Sequence, residues 1–411
     1  MLLRKAVQSL RFDEDYSKVL TTIPEEQGSR FTELANASHL TLPLALRCGE
    51  FLPNPHDWQG ALQRNALRHR AVVHQCGEIA GALDAAGIQH VFLKGLTQWP
   101  YYCDAQSHRP QYDIDLYCPP DQLEAAWNRL RERGYQPLHS EADARADHLQ
   151  PLLRPTSWRW RGDYFDPEMP LIVELHHRFW DPATERFSVD EQPALWDRRR
   201  NRQLDGIALH TLDPAGQLAY TAWHLVRHLL RGDLRLYHVY ELAHFLERSA
   251  GDKGFWTEWA QAGQPSRRTV EGVAFRLAQD WFGCRVNPAA GESIALLPPP
   301  ISRWFKLFPM SPIDRLEHPN KDELFLHFAL VENPADRLRI ARRRLLPSTP
   351  PRILLDEHNA APGAAAGLTR LARRVAFTGV RAVHHIAAFA GLLRSAVRWF
   401  TWSSRKSHTS C

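Results

Sequence analysis

The chain lacks the features that would mark it as secreted, membrane-spanning or repetitive. Its six cysteines (Cys48, Cys76, Cys103, Cys118, Cys284 and Cys411) form no C-x-x-C pair and no zinc-like spacing, so reduced thiols are the simpler reading. No stretch of eighteen apolar residues runs free of charge, which argues against a spanning helix. Met1-Leu2-Leu3-Arg4-Lys5 is followed by Gln8, Arg11, Asp13, Glu14 and Asp15, too polar for the apolar core of a signal peptide. No internal repeat stands at a solenoid-like period. Together these absences predict a cytoplasmic protein.

What is present is an ordinary globular composition, 44% hydrophobic and 24% charged, on 411 residues. That length exceeds one comfortable hydrophobic core, so at least two domains are expected. Residues 1–57 carry mixed helical periodicity and read as a helical lead-in. From Asp57 to Ala86, Leu62, Ala66, Val72, Val73, Ile79 and Leu83 recur at helical spacing, and Gly87 closes that helix. Residues 88–93 and 112–117 read as strands, Pro119-Pro120-Asp121 opens a helix to about residue 133, and residues 171–176 have strong β character. Strand, helix and strand in this order place an α+β domain at 58–205. Helical periodicity then dominates 206–346, with Pro298-Pro299-Pro300 read as a loop between helices. A Pro/Ala-rich linker at 347–367 and a basic amphipathic tail at 368–411 complete the chain.

Asp113 and Asp115 are the most informative pair, the first lying eighteen residues beyond the Lys94-Gly95 turn. Side chains two apart on a strand share a face, so both carboxylates project together while Ile114 and Leu116 pack behind. Two adjacent negative charges are costly to hold without a cation. Hard oxygen ligands at this spacing suit Mg²⁺ (or Mn²⁺) together with substrate phosphates. Glu174 is the best third carboxylate, because it sits within an apolar run where a charge is otherwise hard to explain. His176 shares its face and reads as a hydrogen-bonding neighbour. At the strand end, Gly95 lets the backbone approach a phosphate, and Lys94 and Arg109 can meet a triphosphate as cations. The structural alternatives are an ion pair of Glu174 with an arginine such as Arg178, of Arg109 with Asp113, and a solvated Lys94.

These residues carry a family resemblance. Val91-Phe92-Leu93-Lys94-Gly95, then Arg109-x-x-x-Asp113-Ile114-Asp115-Leu116, Gly134-Tyr135 and Val173-Glu174-Leu175-His176 resemble the polymerase-β-type nucleotidyltransferase superfamily. More narrowly they resemble an uncharacterised bacterial nucleotidyltransferase family with an L-K-G…R…D-I-D-L…E-x-H pattern. The resemblance covers residues 60–180 well; His224-x-x-x-His228 and Arg343-Arg344-Leu345-Leu346-Pro347-Ser348 fit more loosely. It implies a mixed β-sheet flanked by helices and Mg²⁺ at Asp113, Asp115 and Glu174. It also implies transfer of a nucleoside monophosphate from an NTP, such as ATP, to an acceptor hydroxyl. One departure stands out. Lys94-Gly95 replaces the superfamily's Gly-Ser or Gly-Gly, so either the lysine supplies that triphosphate contact or the protein binds a nucleotide without turning it over. The second case is a catalytically silent nucleotide-binding or scaffold protein of a biosynthetic complex.

His224 and His228 fall at i and i+4, a spacing fit for zinc, but no Glu follows His224 as a metalloprotease requires. Core or domain-interface packing, or contact with substrate across the cleft, is the expectation for that pair. The tail holds arginines from Arg370 to Arg405 and no acidic residue. It reads as a helix packed on the protein, or one lying on an anionic membrane at the inner face, in preference to a nucleic-acid arm.

Overall fold

The computed structural model describes residues 1–138, 147–189, 192–261, 265–346 and 364–402. Its centre is a mixed sheet of seven strands: β1 (Val91–Phe92), β2 (Asp113–Tyr117), β3 (Gln136–Pro137), β4 (Leu152–Leu153), β5 (Ile172–His176), β6 (Arg199–Leu204) and β7 (Ile207–Leu212). Their order is β3-β4-β5-β2-β1-β7-β6. β2 runs parallel to β5 and antiparallel to β1, and β7 runs parallel to β1. Sheet and helices together give the expected α+β class.

Alternation along the strands decides which face is apolar. Phe92, Ile114, Leu116, Val173 and Leu175 share one core with Val72, Cys76, Ile79 and Leu83 of the Pro55–Ala85 helix, and with Ala126 and Leu130 of the Leu123–Glu132 helix. The opposite face therefore receives Asp113, Asp115 and Glu174. Pro55 sits in the first turn of the long helix, where its missing N–H is no loss, and Gly87 (φ +67°) follows its end. The Ile88 amide bonds back to the Leu83 carbonyl to finish that helix, and β1 is accordingly shorter than residues 88–93.

β6 and β7 are joined by Asp205-Gly206, both at positive φ (48° and 80°), the geometry of a tight hairpin turn. The sheet thus continues to Leu212, past residue 205. The Arg199-Arg200-Asn201-Arg202 run hides this strand in sequence because it has no apolar alternation.

The helices Pro214–Arg231, Leu236–Ser249 and Pro265–Phe282 pack on one another around Trp223, Trp256, Trp259 and Trp281. The lead-in joins this body: amides of Leu2 and Leu3 donate to the Glu317 carboxylate at 2.9 and 3.1 Å. In the proline triplet Pro298 caps a helix and Pro299 begins it. The C-terminal helix spans Ala364–Thr401, whereas residues 347–363 of the expected linker lie outside the described residues. Cys48, Cys76, Cys103, Cys118 and Cys284 are buried free thiols. Among the described residues, no helix is long and apolar enough to cross a membrane.

Candidate active site

Parallel pairing of β2 with β5 sets Asp115 opposite Glu174 and Tyr117 opposite His176. Register alone thus brings together groups some sixty residues apart in sequence. Asp115, Glu174 and His176 each offer a ligand atom within 4.8 Å of the others. His176 Nε2 donates to Asp115 Oδ1 at 3.0 Å and lies 3.7 Å from Glu174 Oε2. His148, with no counterpart in the sequence analysis, places Nε2 3.8 Å from that same oxygen.

Lys94 leaves the end of β1 and points at this group. Its Nζ is 2.9 Å from Asp115 Oδ2 and 2.9 Å from His224 Nε2. Lys94 is therefore a buried ion-pair partner, not a solvated strand end. Burial disfavours its charge, but Asp115 and Asp113 outweigh that and raise its pKa. Burial likewise disfavours the Asp115 carboxylate. Lys94 and the His176 hydrogen bond more than offset this and hold it far below the usual carboxylate range.

The other two carboxylates are less well compensated. Burial, followed by the charge of Asp115, pushes Asp113 above the ordinary aspartate range. The same two causes push Glu174 up to about 7. One ammonium among three carboxylates leaves the group short of positive charge. Oxygen donors short of positive charge on one face are the chemistry a divalent hard cation fits.

The turn that aims Lys94 depends on its glycine. Gly95 has φ +71°, and a Cβ there would lie 2.5 Å from Gln111 Cδ. Gln111 Nε2 donates to the Asp113 carbonyl at 2.9 Å, so the glycine makes room for the residue that braces β2. Gly95→Ala is expected to destabilise the protein by at least about 1–2 kcal/mol from the left-handed backbone alone. Thermal unfolding measures the loss.

Helices form the facing wall. The Pro214–Arg231 helix brings His224, Arg227 and His228; the Leu236–Ser249 helix brings His238 and Glu241. His228 Nε2 is 3.0 Å from His224 Nε2, and His228 Nδ1 is 3.0 Å from Asp233 Oδ1. The His238 ring lies 4.9 Å from that of His224. Burial, then the nearby Lys94 charge, keeps His224 well below the ordinary histidine range. His224 thus packs at the interface between sheet and helices, between Lys94 and His228. Arg227 pairs with Asp147, and Arg109 Nε donates to Glu241 Oε1 at 2.6 Å. Arg109 takes its partner from the helical wall and not from Asp113. A small pocket adjoins the turn, lined by Arg68, Gly95, Trp99, Arg109 and Gln111 and by none of the three carboxylates.

His148, Asp147, His238 and Glu241 escaped sequence reasoning because their partners are distant in the chain and follow no motif. A buried acid such as Glu241 on an apolar helix is the one signal that was available.

No curated protein and no solved structure matches the chain. Residues 24–283, more than half of it, match the profile of a family described as uncharacterised nucleotidyltransferase. That span runs from the lead-in through the sheet and the helical wall, and includes every residue of the carboxylate cluster. The chain belongs to this uncharacterised nucleotidyltransferase family and is a transferase enzyme.

Proposed function

We propose that this enzyme moves a nucleoside monophosphate from an NTP to an acceptor hydroxyl at the β2–β5 cluster. The observation that carries the reading is the gathering of Asp115, Glu174 and His176, whose ligand atoms lie within 4.8 Å of one another beside Lys94, with Asp113 two residues before Asp115 on the same strand. Asp113, Asp115 and Glu174 would hold Mg²⁺ or Mn²⁺. When bound, the ion offsets charge developing on the transferring phosphoryl oxygens. Lys94 spends two of its ammonium protons on Asp115 and His224, which leaves a third for a phosphate oxygen. Arg109, anchored by Glu241 through Nε, and the Gly95 backbone complete the nucleotide-binding edge. His176 holds Asp115 in place, and His224 and His228 face the substrate from the helical side.

In the reaction the acceptor oxygen attacks the α-phosphorus and a new P–O bond forms. The bond between the α-phosphorus and the bridging oxygen breaks, pyrophosphate leaves, and the hydroxyl proton passes to Glu174. Incubation of pure protein with each labelled NTP, Mg²⁺ and cell extract should transfer label to an acceptor with release of pyrophosphate. Calorimetry showing Mg·ATP binding without any pyrophosphate release would favour the silent nucleotide-binding alternative.

The raised Glu174 pKa gives a further expectation for the metal-free protein. Below about pH 4.5 the carboxyl is protonated in folded and unfolded chains alike and contributes nothing. Between there and about 7 the folded chain keeps a proton the unfolded chain has released, so stability falls as pH rises. Above 7 the full penalty of roughly 1–3 kcal/mol applies, and Asp113 acts in the same direction. Glu174→Gln should therefore be more stable than wild type at pH 8 and equal to it at pH 4. Added Mg²⁺ should stabilise wild type at pH 8 more than it stabilises the variant, as measured by chemical denaturation.

A further inference from the structure

The C-terminal helix has two apolar faces, and among the described residues only one of them packs on the protein. Ala388, Leu392, Ser395 and Trp399 face the helical body: Ala388, Leu392 and Ser395 are buried, and Trp399 stacks on Phe325 with ring centroids 5.3 Å apart. Arg398 Nη2 donates to the Leu307 carbonyl at 3.1 Å, which fixes the rotation of the helix on the body. With that rotation fixed, a second stripe turns to solvent. Ile386, Phe389, Leu393, Val397 and Phe400 recur at steps of three and four, and they are 51–80% exposed. Val375 and Val383 extend the series toward the helix start, at 64% exposure each. So many large apolar side chains on one exposed stripe mark an interaction surface.

The charge on this helix selects the occupant. Residues 364–402 contain Arg370, Arg373, Arg374, Arg381, Arg394 and Arg398 and no acidic residue. A second copy of the helix would bring the same positive charge to the contact and be repelled. An anionic lipid surface attracts it and can receive the apolar stripe below the headgroups. From Ile386 to Phe400 the stripe is about 21 Å long at 1.5 Å per residue. It lies along a surface, in keeping with the absence of a spanning helix among the described residues.

We infer that the exposed stripe Ile386–Phe400, with its flanking arginines, docks this enzyme on an anionic membrane surface. The inference is independent of the nucleotidyl-transfer reading, because none of its residues belongs to the carboxylate cluster.

The test is co-sedimentation of the full chain with vesicles of phosphatidylglycerol and phosphatidylcholine, against phosphatidylcholine alone. Wild type should pellet with the anionic vesicles, less so in high salt, and stay in solution with the neutral ones. Phe389→Glu with Phe400→Glu should lower partitioning at least about tenfold, since each change removes buried apolar surface and adds repulsion. Leu296→Glu, an exposed leucine outside this helix, should leave partitioning unchanged. Both side chains of the double variant are solvent-exposed, and circular dichroism confirms its fold. Three results would overturn the inference: no binding to anionic vesicles, equal binding to neutral ones, or a double variant that binds as wild type does. Light scattering that reveals a dimer dissolved by the double variant would do so too, by assigning the stripe to a second copy.

Discussion

Asp113→Ala should abolish nucleotidyl transfer while leaving the folded protein intact. Asp113 shares a strand face with Asp115, and its carboxyl is held above the ordinary range by burial and by that neighbour. Its charge is thus a burden on the folded chain, and removing it relieves the cluster. Stability should be unchanged or slightly higher. On the proposed reading the variant would lose a ligand to the ion that offsets phosphoryl charge, an effect worth several kcal/mol in the transition state, so activity should fall about a thousandfold or more. Pyrophosphate release reads the first quantity and thermal unfolding the second. A variant that turns over NTP at the wild-type rate would remove this cluster from the chemistry.

Arg109→Ala should have the largest effect on stability. The guanidinium and Glu241 are 11% and 2% exposed and bridge the sheet's approach loop to the Leu236–Ser249 helix. Burial opposes both charges. Glu241 overrides that for Arg109, whose pKa is raised. Removing one partner of a buried pair leaves an uncompensated charge, at a cost of about 3–5 kcal/mol. Arg109→Met combined with Glu241→Leu should recover most of the loss, since it removes both charges and keeps volume. Urea denaturation of the single and double variants measures the difference. If Arg109→Ala weakened Mg·ATP binding and left the unfolding midpoint unmoved, Arg109 would serve substrate alone and the pair would carry no structural weight.

The two variants separate what was legible in the chain from what was not. Period-two alternation at Asp113-Ile114-Asp115-Leu116 was enough to place both acids on one face, because side-chain direction along a strand is a local property. Glu174 could be singled out for a similar reason: an acid inside an apolar run signals a buried charge without reference to the rest of the fold. The Lys94-Gly95 turn was equally local, and Gly95 does adopt positive φ. Arg109 was visible as a cation near the acids, but its partner was not, because Glu241 lies on a helix 132 residues away.

Sequence by itself determined the α+β class, the two-acid strand face, the glycine turn and the one-signed charge of the C-terminal segment. Each of these depends on neighbours within a few positions. Tertiary structure alone decided that Asp115 meets Glu174 through strand register, and that Lys94 is shared between Asp115 and His224. It also decided that Glu241 claims Arg109, and which stripe of the last helix is left facing solvent. These outcomes depend on how distant elements pack, and pairing between elements is set by the burial of whole faces, which no local pattern of residues encodes.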